Sequence, residues 1–147
     1  WESFYFYWTH RMLHWPPLYK LVHSVHHRNI NVGPWSGLSM HPIEHLIFLG
    51  SVLVHWVIPA SPVHILYHMQ YFALTAATTH AGFEGIAIKD QNRLRLGTFH
   101  HQMHHRYFEC NYGGLEVPWD KFFGSFHDGT QEADEAIKAR RAKMTSV

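Results

Sequence analysis

The 147-residue sequence predicts an all-α integral membrane protein built around a transmembrane or re-entrant helical hairpin. Three observations carry that expectation. Hydrophobic residues make up 46% of the chain and charged residues only 16%, a balance that points toward lipid. Two apolar segments stand back to back in the middle of the chain, and many of the histidines recur at three- and four-residue spacing, the period of one helix face.

The elements follow in order. Trp1 to Trp8 (WESFYFYW) reads as the aromatic end of a helix that began earlier, so an N-terminally truncated chain is expected. No basic segment followed by an apolar one marks a signal peptide. His10-Arg-Met-Leu-His14 continues the helix, and His23-Ser-Val-His26-His27 follows closely. Ile43 to Pro59 and Val63 to Thr79 are the two apolar arms, joined by the turn signal Ala60-Ser-Pro62. At 1.5 Å per residue each arm reaches about 25 Å, near the lower limit for a bilayer core of about 30 Å. After His101-Gln-Met-His104-His105, the run from Asp128 to Lys143 reads as an exposed helix, capped by Asp128 or Thr130, with acids early and bases late. No linker or repeat divides the chain, so residues 1–147 form one domain.

Charge placement orients the hairpin. Every Lys and Arg lies outside it: Arg11, Lys20 and Arg28 before, Lys89 through Lys143 after, and none in the turn. The positive-inside rule puts both flanks in the cytoplasm, so the three histidine boxes meet on one face. The histidines within both arms keep open the alternative of two buried helices in a soluble protein. The net charge of +1 offers no basic field for nucleic acid. The lone Cys110 has no internal disulfide partner and reads as a small buried hydrophobe.

Sixteen histidines are too many for ordinary usage, and the boxes space them for chelation. On a helix His10 and His14 share a face, as do His23 with His26 or His27. Adjacent His26 and His27 diverge by about 100°, so an HxxHH box suits two neighbouring ions better than one. Neutral imidazole suits iron, zinc and copper alike, so the ligands by themselves leave the metal open.

The boxes HRMLH, HSVHH and HQMHH, with His41-Pro-Ile-Glu44, His80-Ala-Gly82, Asn111-Tyr-Gly113 and Trp119-Asp120 through Gly124, resemble the fatty acid hydroxylase and sterol desaturase superfamily of membrane di-iron oxygenases. The resemblance covers the chain from Tyr7 to Gly129. It implies a cytosolic helical cap holding two iron ions, with zinc as a substitute, and O2 as co-substrate. The ligands it implies are His10, His14, His23, His26, His27, His80, His101, His104 and His105. Some relatives carry a further histidine one helical turn past the position of His80; here Glu84 stands there and is expected to ligate a metal or to hold a ligand's ring. His41 and Glu44 are expected to position ligands, as are His100 beside the third box and Asn111 in its turn. His55, His64 and His68 belong on this topology to the remote end of the hairpin, despite the i, i+4 spacing of the last two.

The activity implied is hydroxylation or desaturation of a sterol, fatty acyl or isoprenoid C–H bond. No haem or flavin motif is visible, so electrons come from a separate donor, cytochrome b5-like or a ferredoxin with its reductase. The membrane implied is the bacterial inner membrane or the endoplasmic reticulum, boxes facing the cytoplasm. Two other readings are a membrane metal transporter or sensor and a non-catalytic zinc scaffold. The first would thread histidines through the membrane, whereas the boxes lie beside Arg11, Arg28 and Arg106.

Overall fold

The structure is a computed structural model that describes residues 1–88 and 93–145; Lys89, one of the flanking cations, lies outside them. It is mainly helical. In chain order come α1 (Glu2–Leu13), α2 (Pro16–Leu21), a 3-10 segment (His23–Arg28), a second (Pro34–Leu38), α3 (Pro42–Leu49), a third 3-10 segment (Gly50–Trp56) and α4 (Pro62–Thr79). Strands β1 (Gly85–Ala87) and β2 (Arg93–Arg95), helices α5 (Thr98–Tyr107), α6 (Trp119–Phe122) and α7 (Gln131–Thr145) complete it. The all-α expectation needs one amendment: β1 and β2 pair antiparallel, with Ile86 opposite Leu94.

Proline sets three of the helix starts. Pro16, Pro42 and Pro62 each occupy a first helical position, where the missing N–H costs nothing. His41 Nδ1 accepts from Ile43 N at 3.2 Å, and Ser61 Oγ accepts from His64 N at 3.3 Å, so each side chain satisfies an orphan donor. Thr130 Oγ1 does the same for Ala133 N at 3.3 Å, ahead of α7.

The first arm of the hairpin departs from the expectation. It is not one helix but α3 followed by a 3-10 segment, because the break at Gly50-Ser51 is held from outside. The Tyr5 hydroxyl donates to Ile47 O at 2.8 Å, and Trp1 Nε1 donates to Ser51 O at 3.0 Å, drawing carbonyls out of the helical ladder. Among the described residues no helix is long and apolar enough to cross a membrane. The chain is non-helical over residues 57–61, with its turn at Val57 and Ile58 ahead of the Ala60-Ser-Pro62 signal, and α4 then runs 18 residues back toward the boxes.

The core sits between α1, α3 and α4. Leu13, Val22, Phe48 and Phe72 form its buried cluster, and Phe6, Met40, Ile47 and Leu49 pack against it. This packing brings the end of α1, the first 3-10 segment and the C-terminal end of α4 onto one side of the molecule. There α5 closes over them.

Candidate metal centre

Nine buried or nearly buried histidines converge in two groups. His10, His14, His23, His27 and His104 form one, and His26, His80, His101 and His105 the other; within each group every histidine offers a ring nitrogen within 4.8 Å of the rest. Helix α1 supplies His10 and His14, four residues apart on one face. His80 caps the C-terminus of α4. Both HxxHH boxes divide between the groups: the i, i+4 pairs His23/His27 and His101/His105 stay together, and the intervening His26 and His104 go to the opposite group. Adjacent rings diverge too far to share one centre. The groups nevertheless touch, since the rings of His27 and His105 lie 4.5 Å apart between centroids.

The Nε2 atoms face one another. In the five-histidine group His23 Nε2 lies 3.1 Å from both His10 and His14, His27 Nε2 is 3.0 Å from His23, and His104 Nε2 is 3.0 and 3.1 Å from His27 and His14. In the other, His80, His101 and His105 stand 3.1 to 3.2 Å apart. A metal–nitrogen bond of about 2.0 to 2.1 Å sets neighbouring ligand nitrogens about 3 Å apart, so the spacing suits a metal.

The opposite ring nitrogens determine what these Nε2 atoms can be. His10 Nδ1 donates to Tyr112 O, His104 Nδ1 to Cys110 O and His80 Nδ1 to Ala76 O, each at 2.7 Å. A carbonyl oxygen only accepts, so Nδ1 holds the proton and Nε2 of the neutral ring is a bare lone pair. Burial keeps the rings neutral: it lowers His10 and His80 to about 4, His105 to about 3 and His14 to about 2, and pushes the other five down as well. His23, when its Nδ1 donates to Glu44 Oε1, presents the same lone pair 3.1 Å from that of His10, and two lone pairs so placed repel unless a cation lies between them. The donor set therefore fits two adjacent metal ions.

Around the groups, Glu44 is wholly buried, and its Oε1 lies 2.7 Å from His23 Nδ1 while Oε2 has no hydrogen-bond partner among the described residues. Burial raises its carboxyl to about 8. A narrow cavity of about 60 Å³ runs from His10, His23, His26, His80 and His101 between Phe6, Phe48 and Phe72. Gly37 packs against the end of α4, where any Cβ would meet the Ala76 carbonyl oxygen and, at 3.0 Å, His80 Nδ1.

Of the other expected residues, His100 and Asn111 pack beside the third box, whereas Glu84 and His41 lie away from the ligand rings. Glu84 is exposed and does not lie one helical turn past His80, because α4 ends at Thr79 and the chain turns through Gly82 at φ +80°. Its Oε2 accepts from Phe99 N at 2.9 Å at the start of α5, and Oε1 accepts from Arg95 Nη2 at 3.4 Å. It belongs to neither group. His41 caps α3 rather than touching a ligand ring. His100 stacks on Phe126 and sets Nε2 3.5 Å from Asp120 Oδ2. Asn111, buried in the left-handed region at φ +53°, donates to His100 O and His127 O and accepts from His127 N, which fixes the turn after α5. His55, His64 and His68 lie apart: His55 Nε2 meets His68 Nδ1 at 3.0 Å, and His68 Nε2 pairs with Glu2.

Asp120, Tyr112 and Gly37 carry no chelating or helical spacing that marks them in the sequence. Asp120 lies in the Trp119-to-Gly124 stretch that carried part of the resemblance, but its partners are set by the fold. Although burial alone would raise its carboxyl, the His100 ring, the Ser125 hydroxyl and two backbone amides together hold it below the ordinary carboxylate value.

The fatty acid hydroxylase family model matches residues 1–125. The chain belongs to the fatty acid hydroxylase family. Within it, the chain is 32% identical over 142 residues to the Delta(7)-sterol 5(6)-desaturase ERG3B of Gibberella zeae, covering 93% of this chain and 43% of that protein. It is 31% identical to the Delta(7)-sterol 5(6)-desaturase ERG3 of Saccharomyces cerevisiae, covering 95% and 37%, and 30% identical to that of Candida albicans, covering 93% and 34%. It thus spans about two fifths of the length of the curated relatives it matches. No solved structure matches the chain significantly.

Proposed function

We propose that the nine histidines hold two iron ions and that the chain is the metal-binding part of an O2-dependent lipid oxidoreductase, one that desaturates or hydroxylates a sterol. The observation that carries this reading is the convergence of nine imidazole nitrogens, eight of them on buried residues, in two touching groups. The relatives' names supply the lipid class. Irons bound there would supply O2 activation and the one-electron chemistry needed to attack an unactivated C–H bond, which zinc, without a change of valence, does not.

The protein's own groups prepare the site. Backbone carbonyls of Ala76, Cys110 and Tyr112 fix the ring orientation of three ligands and leave Nε2 available, and Glu44 does the corresponding work at His23. Phe6, Phe48 and Phe72 line the cavity beside the ligands, and nine neutral ligands leave the positive charge of the metals uncompensated. Electrons come from a separate donor, cytochrome b5-like or a ferredoxin with its reductase.

Membrane association is carried by the hairpin tip. Trp56, Val57 and Val63 are 77 to 85% exposed, an apolar patch that lipid covers. On this reading the tip is buried in the bilayer and the boxes face the cytoplasm.

The test is metal analysis and O2 uptake in the presence of reductant, with product analysis after incubation with a Δ7-sterol. Two irons per chain, sterol-dependent O2 uptake and a new ring double bond or hydroxyl are expected. Zinc alone with no O2 uptake under iron-replete conditions would replace this reading with a structural scaffold.

A further inference from the structure

The cavity beside the histidines holds only about 60 Å³. Sites that enclose small-molecule ligands run from roughly 300 to 1,000 Å³. A second cavity of about 370 Å³ lies at the hairpin tip, between the start of α1, the 3-10 segment Gly50–Trp56 and α4. The two share Glu2 and Tyr71 in their walls, so these residues stand where the cavities adjoin. Each is tied in place. The Tyr71 hydroxyl donates to Glu116 Oε1 at 3.0 Å, and Glu2 pairs with His68, whose other ring nitrogen meets His55.

We propose that the outer cavity is the vestibule through which a sterol passes from surrounding lipid, and that Tyr71, Glu2 and Glu116 form the partition it displaces to reach the histidines. The inference rests on the sterol reading above. Continuity of the two walls argues for a shared occupant. The mouth argues for a lipid one: Ile58, which lines it, is 62% exposed beside the apolar patch of Trp56, Val57 and Val63. Tyr71 lies nine residues before His80, about 13 Å along α4, so the partition stands a sterol-sized distance from the proposed metals. Trp1, Tyr67 and Tyr71 offer aromatic surface to a flat apolar body. The ties that close the partition run between side chains, so they can be released without breaking a helix, and the inner cavity of about 60 Å³ widens as the sterol enters.

The test is equilibrium binding of dehydroergosterol, a fluorescent sterol, to the full chain in detergent, read by energy transfer from tryptophan, with metal content measured in parallel. Val54→Phe and Ile58→Phe fill the vestibule wall and should weaken binding about fivefold or more, the scale of a modest overpacking penalty. Leu46→Phe, on an exposed α3 position outside both cavities, should leave binding unchanged. Tyr71→Phe removes the tie to Glu116 and should speed sterol association with metal content intact. Because Ile58 is exposed, its variant should fold, and wild-type metal content verifies that.

Sterol binding and turnover as in the wild type by both filling variants would overturn the vestibule while leaving the sterol reading in place. A wild-type chain that binds no sterol would overturn both. Displacement of the sterol by cis-parinaric acid at far lower concentration than by a Δ7-sterol would overturn the choice of occupant.

Discussion

Asp120 holds Tyr112 and, through it, His10. The two carboxylate oxygens of Asp120 accept from Tyr112 N at 2.9 Å and Gly113 N at 2.8 Å, and the Tyr112 carbonyl oxygen accepts from His10 Nδ1 at 2.7 Å. A residue in neither histidine group thus sets the tautomer of a ring in one of them. Asp120→Asn replaces one acceptor with a donor and opposes a backbone N–H to an NH2 group. It should lower stability by about 1 to 3 kcal/mol. Metal affinity at the five-histidine group should fall roughly 10- to 100-fold, the range for groups that orient ligands, while the four-histidine group holds its ion. Isothermal metal titration of the variant measures both sites; equal weakening of the two would contradict the relay.

The division of each HxxHH box gives a second prediction. His104→Ala should empty the five-histidine group and His26→Ala the four-histidine group, each reducing stoichiometry from two metals toward one, with activity lost in both. His64→Ala and His68→Ala should leave two metals bound, since those rings lie at the outer cavity. Metal analysis by mass spectrometry decides the matter, and comparable loss in both pairs would refute the separation of the clusters.

Gly37 yields a third. An alanine there meets the oxygen that holds His80 Nδ1, so Gly37→Ala should shift the end of α4 and weaken the four-histidine group while His104 and its neighbours keep their metal. A cobalt-substituted protein, whose absorption reports coordination geometry, should change at one site only. An unchanged spectrum would mean that α4 yields without disturbing His80.

The boxes are legible as chelating pairs because spacing encodes helix faces, whereas His80, which lies in no box, is legible only through the family resemblance. The first arm of the hairpin was not legible as a broken element. Its break is held by Tyr5 and Trp1, more than 40 residues away in sequence, and no local pattern in Ile43 to Pro59 announces them. Glu84 stands away from His80 for a related reason: i, i+4 residues share a face only while the helix continues, and α4 stops at Thr79. Asp120 touches its partners across a turn of irregular backbone, where side-chain contacts follow no period.

Glu84 provides a fourth test. Its carboxylate accepts from an N-terminal amide of α5, where both the orphan N–H and the helix dipole favour negative charge. Glu84→Gln should therefore cost about 0.5 to 1 kcal/mol in thermal or denaturant unfolding and leave two metals bound. Selective loss of one metal would restore Glu84 to the coordination sphere.

The last prediction concerns acid. His10 and His80 have folded values near 4, well below the ordinary 6.5, because burial disfavours the charged ring. Between those limits the unfolded chain binds protons that the folded chain does not, so stability rises with pH across the window and is lost as pH falls from 6.5 toward 4. Each of these two rings contributes roughly 3 kcal/mol to that loss, at 1.36 kcal/mol per unit. Glu44 works in the opposite direction: its raised carboxyl, near 8, makes the folded state the better proton binder between about 4.5 and 8, but it is one group against nine rings. Metal-free protein should therefore lose thermal stability steeply below pH 6.5, and Glu44→Gln should make that loss steeper. Metal-loaded protein should hold its stability further into acid, since protons must then displace an ion to reach Nε2. Melting temperatures from pH 8 to pH 4, with and without metal, provide the measurement. A metal-free protein equally stable at pH 7 and pH 4.5 would mean that the rings accept protons within the fold and do not stand as neutral metal ligands.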